Sequence, residues 1–124
     1  MNIKFFRCSR CGQIVAKVKE TAASVVCCGE PMAEMIPGSV DASHEKHVPV
    51  YSVRCGKVYV SVGEIEHPMT NEHYIEWVCL QTKKGNQRKQ LNPGDKPEVV
   101  FTMEKGDEVI RVLAYCNLHG LWQA

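Results

Sequence analysis

The 124-residue chain is short of several things, and each shortage removes a class of function. No apolar run approaches the roughly 18 residues that cross a bilayer, so a membrane-spanning protein is not expected. The opening Met1-Asn2-Ile3-Lys4-Phe5-Phe6-Arg7 breaks before a signal-peptide apolar stretch forms, and a cytoplasmic location is expected. Charge of one sign is also missing: 15 Lys and Arg stand against 14 Asp and Glu, for a formal +1, and no block of like charge exceeds two residues. Neither nucleic acid nor an anionic membrane has an electrostatic footprint here. Sustained helical periodicity, internal repeats and low-complexity tracts are absent too. What remains, 44% hydrophobic and 23% charged, has the proportions of an ordinary folded protein.

Seven cysteines are an odd number, and their share of the chain lies below the ~8 to 10% of a secreted disulfide scaffold, which makes metal ligation the first expectation for the thiols. Four of them, Cys8, Cys11, Cys27 and Cys28, fall in the first 35 or so residues as a CxxC and an adjacent pair. A CxxC turn aims two sulfurs at one ion, and four thiolates close a tetrahedron around iron or zinc. Cys27 and Cys28 share an ion only if the turn between them opens their sulfurs apart, and Gly12 and Gly29 relieve the crowding. Ile14–Lys19 reads as a strand, paired as a hairpin with Ser24-Val25-Val26. So little apolar mass is left that the metal itself is expected to be the core of this module, residues 1–37.

Ile36-Pro37-Gly38-Ser39 signals a boundary, and residues 38–124 then alternate with period two. Val48–Val53 and Val58–Val62 read as a hairpin across Arg54-Cys55-Gly56-Lys57. Tyr74–Leu80, with Ile75, Trp77 and Cys79 on one face, is followed by Gln87–Leu91, Val99–Met103 and Val109–Cys116. Six or seven short strands with no helix among them predict an antiparallel β-sandwich, so the fold class is all-β.

All five histidines lie in this second part. His67 and His73 stand six positions apart at the two ends of one connection, while Cys116 and His119 share the loop that leaves the last long strand, and His47 precedes the first. If the loops of a sandwich converge, four imidazoles and one thiolate can surround a single ion. That is more than tetrahedral zinc accepts, and it suits iron with one octahedral position free. His44 is expected to be a bystander, Cys55 and Cys79 structural, and Lys83, Lys84, Arg88 and Lys89 a solvated hairpin. Tyr59, Tyr74, Trp77 and Trp122 are read as core or site wall.

Taken together, Cys8-Ser9-Arg10-Cys11-Gly12, Cys27-Cys28-Gly29-Glu30-Pro31-Met32, Glu45-Lys46-His47-Val48-Pro49, His67-Pro68-Met69, His73-Tyr74-Ile75-Glu76-Trp77 and Cys116-Asn117-Leu118-His119-Gly120 resemble desulfoferrodoxin, the two-iron superoxide reductase family. The resemblance spans the whole chain. It implies a desulforedoxin-like module holding iron through Cys8, Cys11, Cys27 and Cys28, followed by an immunoglobulin-like sandwich. A second iron there takes His47, His67, His73 and His119 as equatorial ligands and Cys116 as the axial one. It further implies Glu45 as an occupant of the sixth position of the oxidised iron and Lys46 beside the open face, superoxide as substrate, a rubredoxin-like electron donor, and a homodimer. Two rivals explain fewer residues. A structural zinc protein leaves the histidine cluster without a task, and a simple electron carrier leaves its open position unused.

Overall fold

A computed structural model describes residues 2–124 and divides them into two units, one ending at Ile36 and the other covering Pro37–Ala124. The first unit begins with β1 (Lys4–Arg7), β2 (Ile14–Lys17), β3 (Val26–Cys27), β4 (Glu30–Pro31) and β5 (Ala33–Glu34), in sheets ordered β2-β1-β5 and β3-β4. This differs from the hairpin expected between Ile14–Lys19 and Ser24–Val26. Ile14 pairs with Arg7 and Lys17 with Lys4, whereas Val26 pairs with Pro31. The reason is local: the Cys8–Cys11 turn closes β1 onto β2 over a short loop, where closure entropy is small, and β1 carries the buried Phe5. Among the described residues of this unit, Phe5 and Met32 are the large apolar side chains that are buried, together with the smaller Cys8. At about 1.5 to 3 kcal/mol each, they contribute less than the ~10 to 16 kcal/mol seen for a structural metal in zinc-finger peptides.

The second unit contains α1 (His44–His47), β6 (Pro49–Arg54), β7 (Lys57–Val62), β8 (Ile75–Thr82), β9 (Gly85–Gln90), β10 (Glu98–Thr102), β11 (Val109–Cys116) and β12 (Gly120–Gln123). A three-stranded sheet ordered β10-β7-β6 faces a four-stranded sheet ordered β12-β11-β8-β9, all pairings antiparallel. Alternation drives this arrangement. Val58, Val60 and Val62 of β7 and Val99 and Phe101 of β10 meet Val78 and Leu80 of β8 and Val112 and Ala114 of β11 in one core.

Two features depart from expectation, and both position the site. Ile75 does not share a face with Trp77 and Cys79. The β8–β11 register shifts between Tyr115, opposite Trp77, and Cys116, opposite Ile75, which places Glu76 in a bulge. The extra residue switches faces, so Ile75 and Cys116 join the core while Trp77 stacks on Tyr115 on the other side, with ring centroids 5.4 Å apart. The second departure is α1, a single helical turn where none was expected, closed by Val48 N–H donating to the His44 carbonyl at 2.9 Å. Pro49 halts it, because a residue before proline is driven out of helical geometry. No helix among the described residues is long and apolar enough to cross a membrane.

Candidate metal centres

The first cluster is built from two tight turns. In one, Gly12 N–H donates to the Cys8 carbonyl at 3.0 Å and Cys11 N–H points at Cys8 Sγ from 3.5 Å. In the other, Cys28 and Gly29 form the two-residue loop between β3 and β4, with φ of 52° and 76°. Two successive left-handed residues make the hairpin turn that matches strand twist, and this is how neighbouring cysteines come to share an ion. A side chain in that conformation costs about 1 to 2 kcal/mol, which a bound metal outweighs. Arg10, in the first turn, pairs with Glu30, just beyond the second, at 2.8 Å.

The four sulfurs all lie within 4.8 Å of one another. The Cys11–Cys27 separation is 3.5 Å and the Cys27–Cys28 separation 3.9 Å. A tetrahedron with bonds of about 2.3 Å has edges of about 3.8 Å, so the set fits one thiolate-loving ion. The electrostatics agree. Backbone N–H groups of Cys11 and Arg10 lower the Cys8 thiol to about 6, while neighbouring Cys11 and Cys8 push Cys27 up to about 12. Four sulfurs this close cannot all be anionic without a cation among them.

The second cluster gathers side chains from four places: His47 from the end of α1, His67 and His73 from the β7–β8 connection, Cys116 from the end of β11, and His119 from the β11–β12 turn. Nitrogen atoms of His47, His67 and His73 and the sulfur of Cys116 all lie within 4.8 Å of each other. His119 falls outside that mutual set, yet its Nδ1 is 3.1 Å from His47 Nε2 and 3.8 Å from Cys116 Sγ. The imidazoles form a ring. Successive centroids, His47 to His67 to His73 to His119 and back, are 4.6, 4.7, 5.1 and 4.9 Å apart, with planes crossed at 78° to 87°. The opposed pair His47 and His73 is 6.4 Å apart and only 30° from parallel.

Hydrogen bonding decides what this ring wants. His47 Nδ1 lies 2.6 Å from the Ser43 carbonyl and His67 Nδ1 lies 2.6 Å from the Pro68 carbonyl. A carbonyl only accepts, so each Nδ1 carries the proton and each Nε2 presents a lone pair. Those two Nε2 atoms face each other at 3.1 Å. Nε2 of His73 is buried with no hydrogen-bond partner. Converging lone pairs and an orphaned buried nitrogen are a site for a cation, and nitrogen with sulfur suits a transition metal. Burial lowers the pKa of His47 and His73, and that of His67 to about 4, keeping them neutral and able to ligate. Burial raises Cys116, opposed by the backbone N–H groups of Leu118 and His119.

Glu45 and Lys46 are exposed on α1. The Glu45 carboxyl sits below its usual range because its own backbone N–H donates to it, and the Lys46 charge is felt at His47 and His73. His44 is exposed, its ring edge-on to Trp122 at 5.3 Å. Cys79 is buried and its thiol pushed up to about 11 by that burial, whereas Cys55 occupies the β6–β7 turn with φ of 50°. Sequence reasoning missed Gly63. A Cβ there would lie 2.8 Å from the carbonyl oxygens of both Glu45 and Val48, so the β7–β8 connection touches α1 backbone to backbone. A lone glycine eighteen residues after Glu45 carries no signal of that contact.

Comparison with known proteins adds an independent line. Residues 39–124 match the family model described as Desulfoferrodoxin, and residues 2–35 match Desulfoferrodoxin, N-terminal domain. A desulfoferrodoxin homolog of Archaeoglobus fulgidus is 43% identical over 122 residues, covering 98% of this chain and 96% of that protein. A superoxide reductase of Pyrococcus horikoshii is 42% identical over 104 residues, covering 68% of this chain and 89% of that one. Among solved structures, the superoxide reductase from Treponema pallidum superposes with a TM-score of 0.84 at 40% identity, covering 100% of this chain and 99% of that one.

Proposed function

Since this chain belongs to the desulfoferrodoxin family, we propose that it is a superoxide reductase, an oxidoreductase that takes superoxide to hydrogen peroxide with one electron and two protons. The observation that carries this reading is the ring of four crossed imidazoles with a buried cysteine beside it. His47, His67, His73, His119 and Cys116 would hold one iron, and Cys8, Cys11, Cys27 and Cys28 the other. Iron held by these histidines and Cys116 would supply the one-electron reduction.

The protein's own groups do the rest. Carbonyls of Ser43 and Pro68 fix two rings with Nε2 inward, so the donor set is in place before metal arrives. N–H groups of Leu118 and His119 donate to the Cys116 sulfur and restrain its basicity. Lys46 contributes positive charge beside the ring, and an anion the size of superoxide is drawn in by it. Steering of this kind speeds association by about 10- to 1000-fold and weakens with salt. Water beside Lys46 would supply the protons, and Glu45, on the same turn, is the residue that the family resemblance would have cap the iron once it is oxidised. Electrons come from a small one-electron carrier of the rubredoxin kind, Cys8, Cys11, Cys27 and Cys28 would hold an iron able to pass or store them, and the chain acts as a cytoplasmic homodimer. The donor, the electron role of the all-cysteine cluster and the homodimer are supported by the family resemblance.

Metal analysis joined to the visible spectrum tests the proposal. Expected are iron in both clusters, a thiolate absorption that responds to superoxide, and peroxide formed without oxygen. Zinc alone, or iron confined to the all-cysteine cluster, would overturn it. Cys116→Ser should abolish most of the reaction while the fold survives.

A further inference from the structure

We propose that Trp122 is a positioning residue for the histidine site, clamping together the two ligands on one side of the ring; the inference rests on the reading that this ring holds iron. Trp122 is 1% exposed and stands on β12, where it pairs with Ala114 of β11, so its backbone is held by the sheet. From that base it reaches both His47 and His119. Its indole N–H donates to the His119 carbonyl at 3.0 Å, bridging back across the β11–β12 turn. Its ring lies against the His47 ring, centroids 5.0 Å apart and planes 33° from parallel.

His47 is thereby trapped. The Ser43 carbonyl stops its rotation from one direction and the indole face limits its tilt from another. His119 ends the three-residue turn between β11 and β12, half-buried, and the indole hydrogen bond ties down its own carbonyl. The quantity these restraints share is the 3.1 Å gap between His47 Nε2 and His119 Nδ1. Those atoms belong to elements 72 positions apart in sequence, and no hydrogen bond other than through the ring nitrogens joins the two residues directly. Metal ligands are commonly oriented by such outer partners, whose loss lowers metal affinity by about 10- to 100-fold.

The test removes the hydrogen bond while keeping the ring. Trp122→Phe, and separately benzothienylalanine at position 122, which has the shape of tryptophan with sulfur in place of N–H, are loaded with iron beside the unaltered protein. Each is then challenged with a chelator. Iron should leave the histidine site about 10-fold faster, with a shifted thiolate absorption, while the spectrum of the all-cysteine cluster is unchanged. Trp77→Phe, which alters the buried tryptophan stacked on Tyr115, controls for loosening of the sandwich in general and should leave iron retention as it was. Unchanged retention and absorption in the benzothienylalanine protein would overturn the proposal, as would equal iron loss from Trp77→Phe. Failure of the unaltered protein to hold iron at the histidines would instead remove the functional reading, and this inference with it.

Discussion

Replacing Gly63 by alanine adds one methyl group at the point where the β7–β8 connection meets α1, and the structure leaves no room for it. The new carbon would lie 2.8 Å from two carbonyl oxygens and 3.0 Å from the Lys46 carbonyl carbon. All three are backbone atoms, so no side chain can swing aside. Gly63 does not have a positive φ, and the penalty is therefore steric rather than conformational. Relief requires α1 and the connection to separate by several tenths of an ångström. The Ile65 N–H bond to the Glu45 carbonyl, 2.8 Å, resists that movement. Overpacking of this kind costs about 1 to 3 kcal/mol. At about 4 to 8 °C per kcal/mol for a unit this size, the melting temperature should fall by about 4 to 24 °C. Since His47 rides on α1 and His67 on the connection, their contact should loosen as well. Calorimetry of the iron-free protein reads the first effect, and chelator challenge of the loaded protein reads the second. A Gly63→Ala protein with unaltered melting and unaltered iron retention would refute the argument that this contact sets the ring.

Three further outcomes follow from the same geometry. The folded pKa of His67, about 4, lies below the ordinary 6.5, so the unfolded chain binds the extra proton between those values. Stability of the iron-free protein is then fully present above pH 6.5 and falls as pH drops toward 4, by about 3 kcal/mol for this buried group; urea midpoints that stay level across that window would contradict it, and His67→Gln should flatten the slope. Cys8→Ser removes the most buried sulfur of the first cluster. Its N-terminal unit should lose its iron spectrum and its protection from proteolysis while the histidine-site reaction persists, and complete loss of that reaction with the second iron still bound would show that the first centre is required. Lys46→Ala should lower the second-order rate with superoxide at low salt and flatten its salt dependence; pulse radiolysis at two ionic strengths checks this, and an identical rate at low salt rejects steering.

Much of the fold was legible because its signals are local. Alternating valines in Val58–Val62 and the turns at Cys55-Gly56 and Lys83-Lys84 are properties of a few adjacent residues, and the strands lie close to where they were expected. The N-terminal pairing was misread because Phe5 and Phe6 form a strand too short to stand out, although Phe5 anchors the unit. The face of Ile75 was misread for a different reason. Strict alternation puts it with Trp77, and only the bulge opposite Tyr115 and Cys116 moves it into the core. The one turn of helix at His44–His47 is below the length at which periodicity can be seen.

From sequence alone came the inventory: which donors exist, that sulfurs at Cys8, Cys11, Cys27 and Cys28 suit one soft ion, and that histidines bounding loops favour a second. Folding decided the rest. Which nitrogen of each imidazole turns inward depends on carbonyls of Ser43 and Pro68, groups every residue possesses and no residue type announces. Closeness of His47 to His119 depends on β11 and β12 carrying one loop to the end of α1. Donor chemistry belongs to individual side chains, whereas the aim of a lone pair belongs to the backbone that surrounds it.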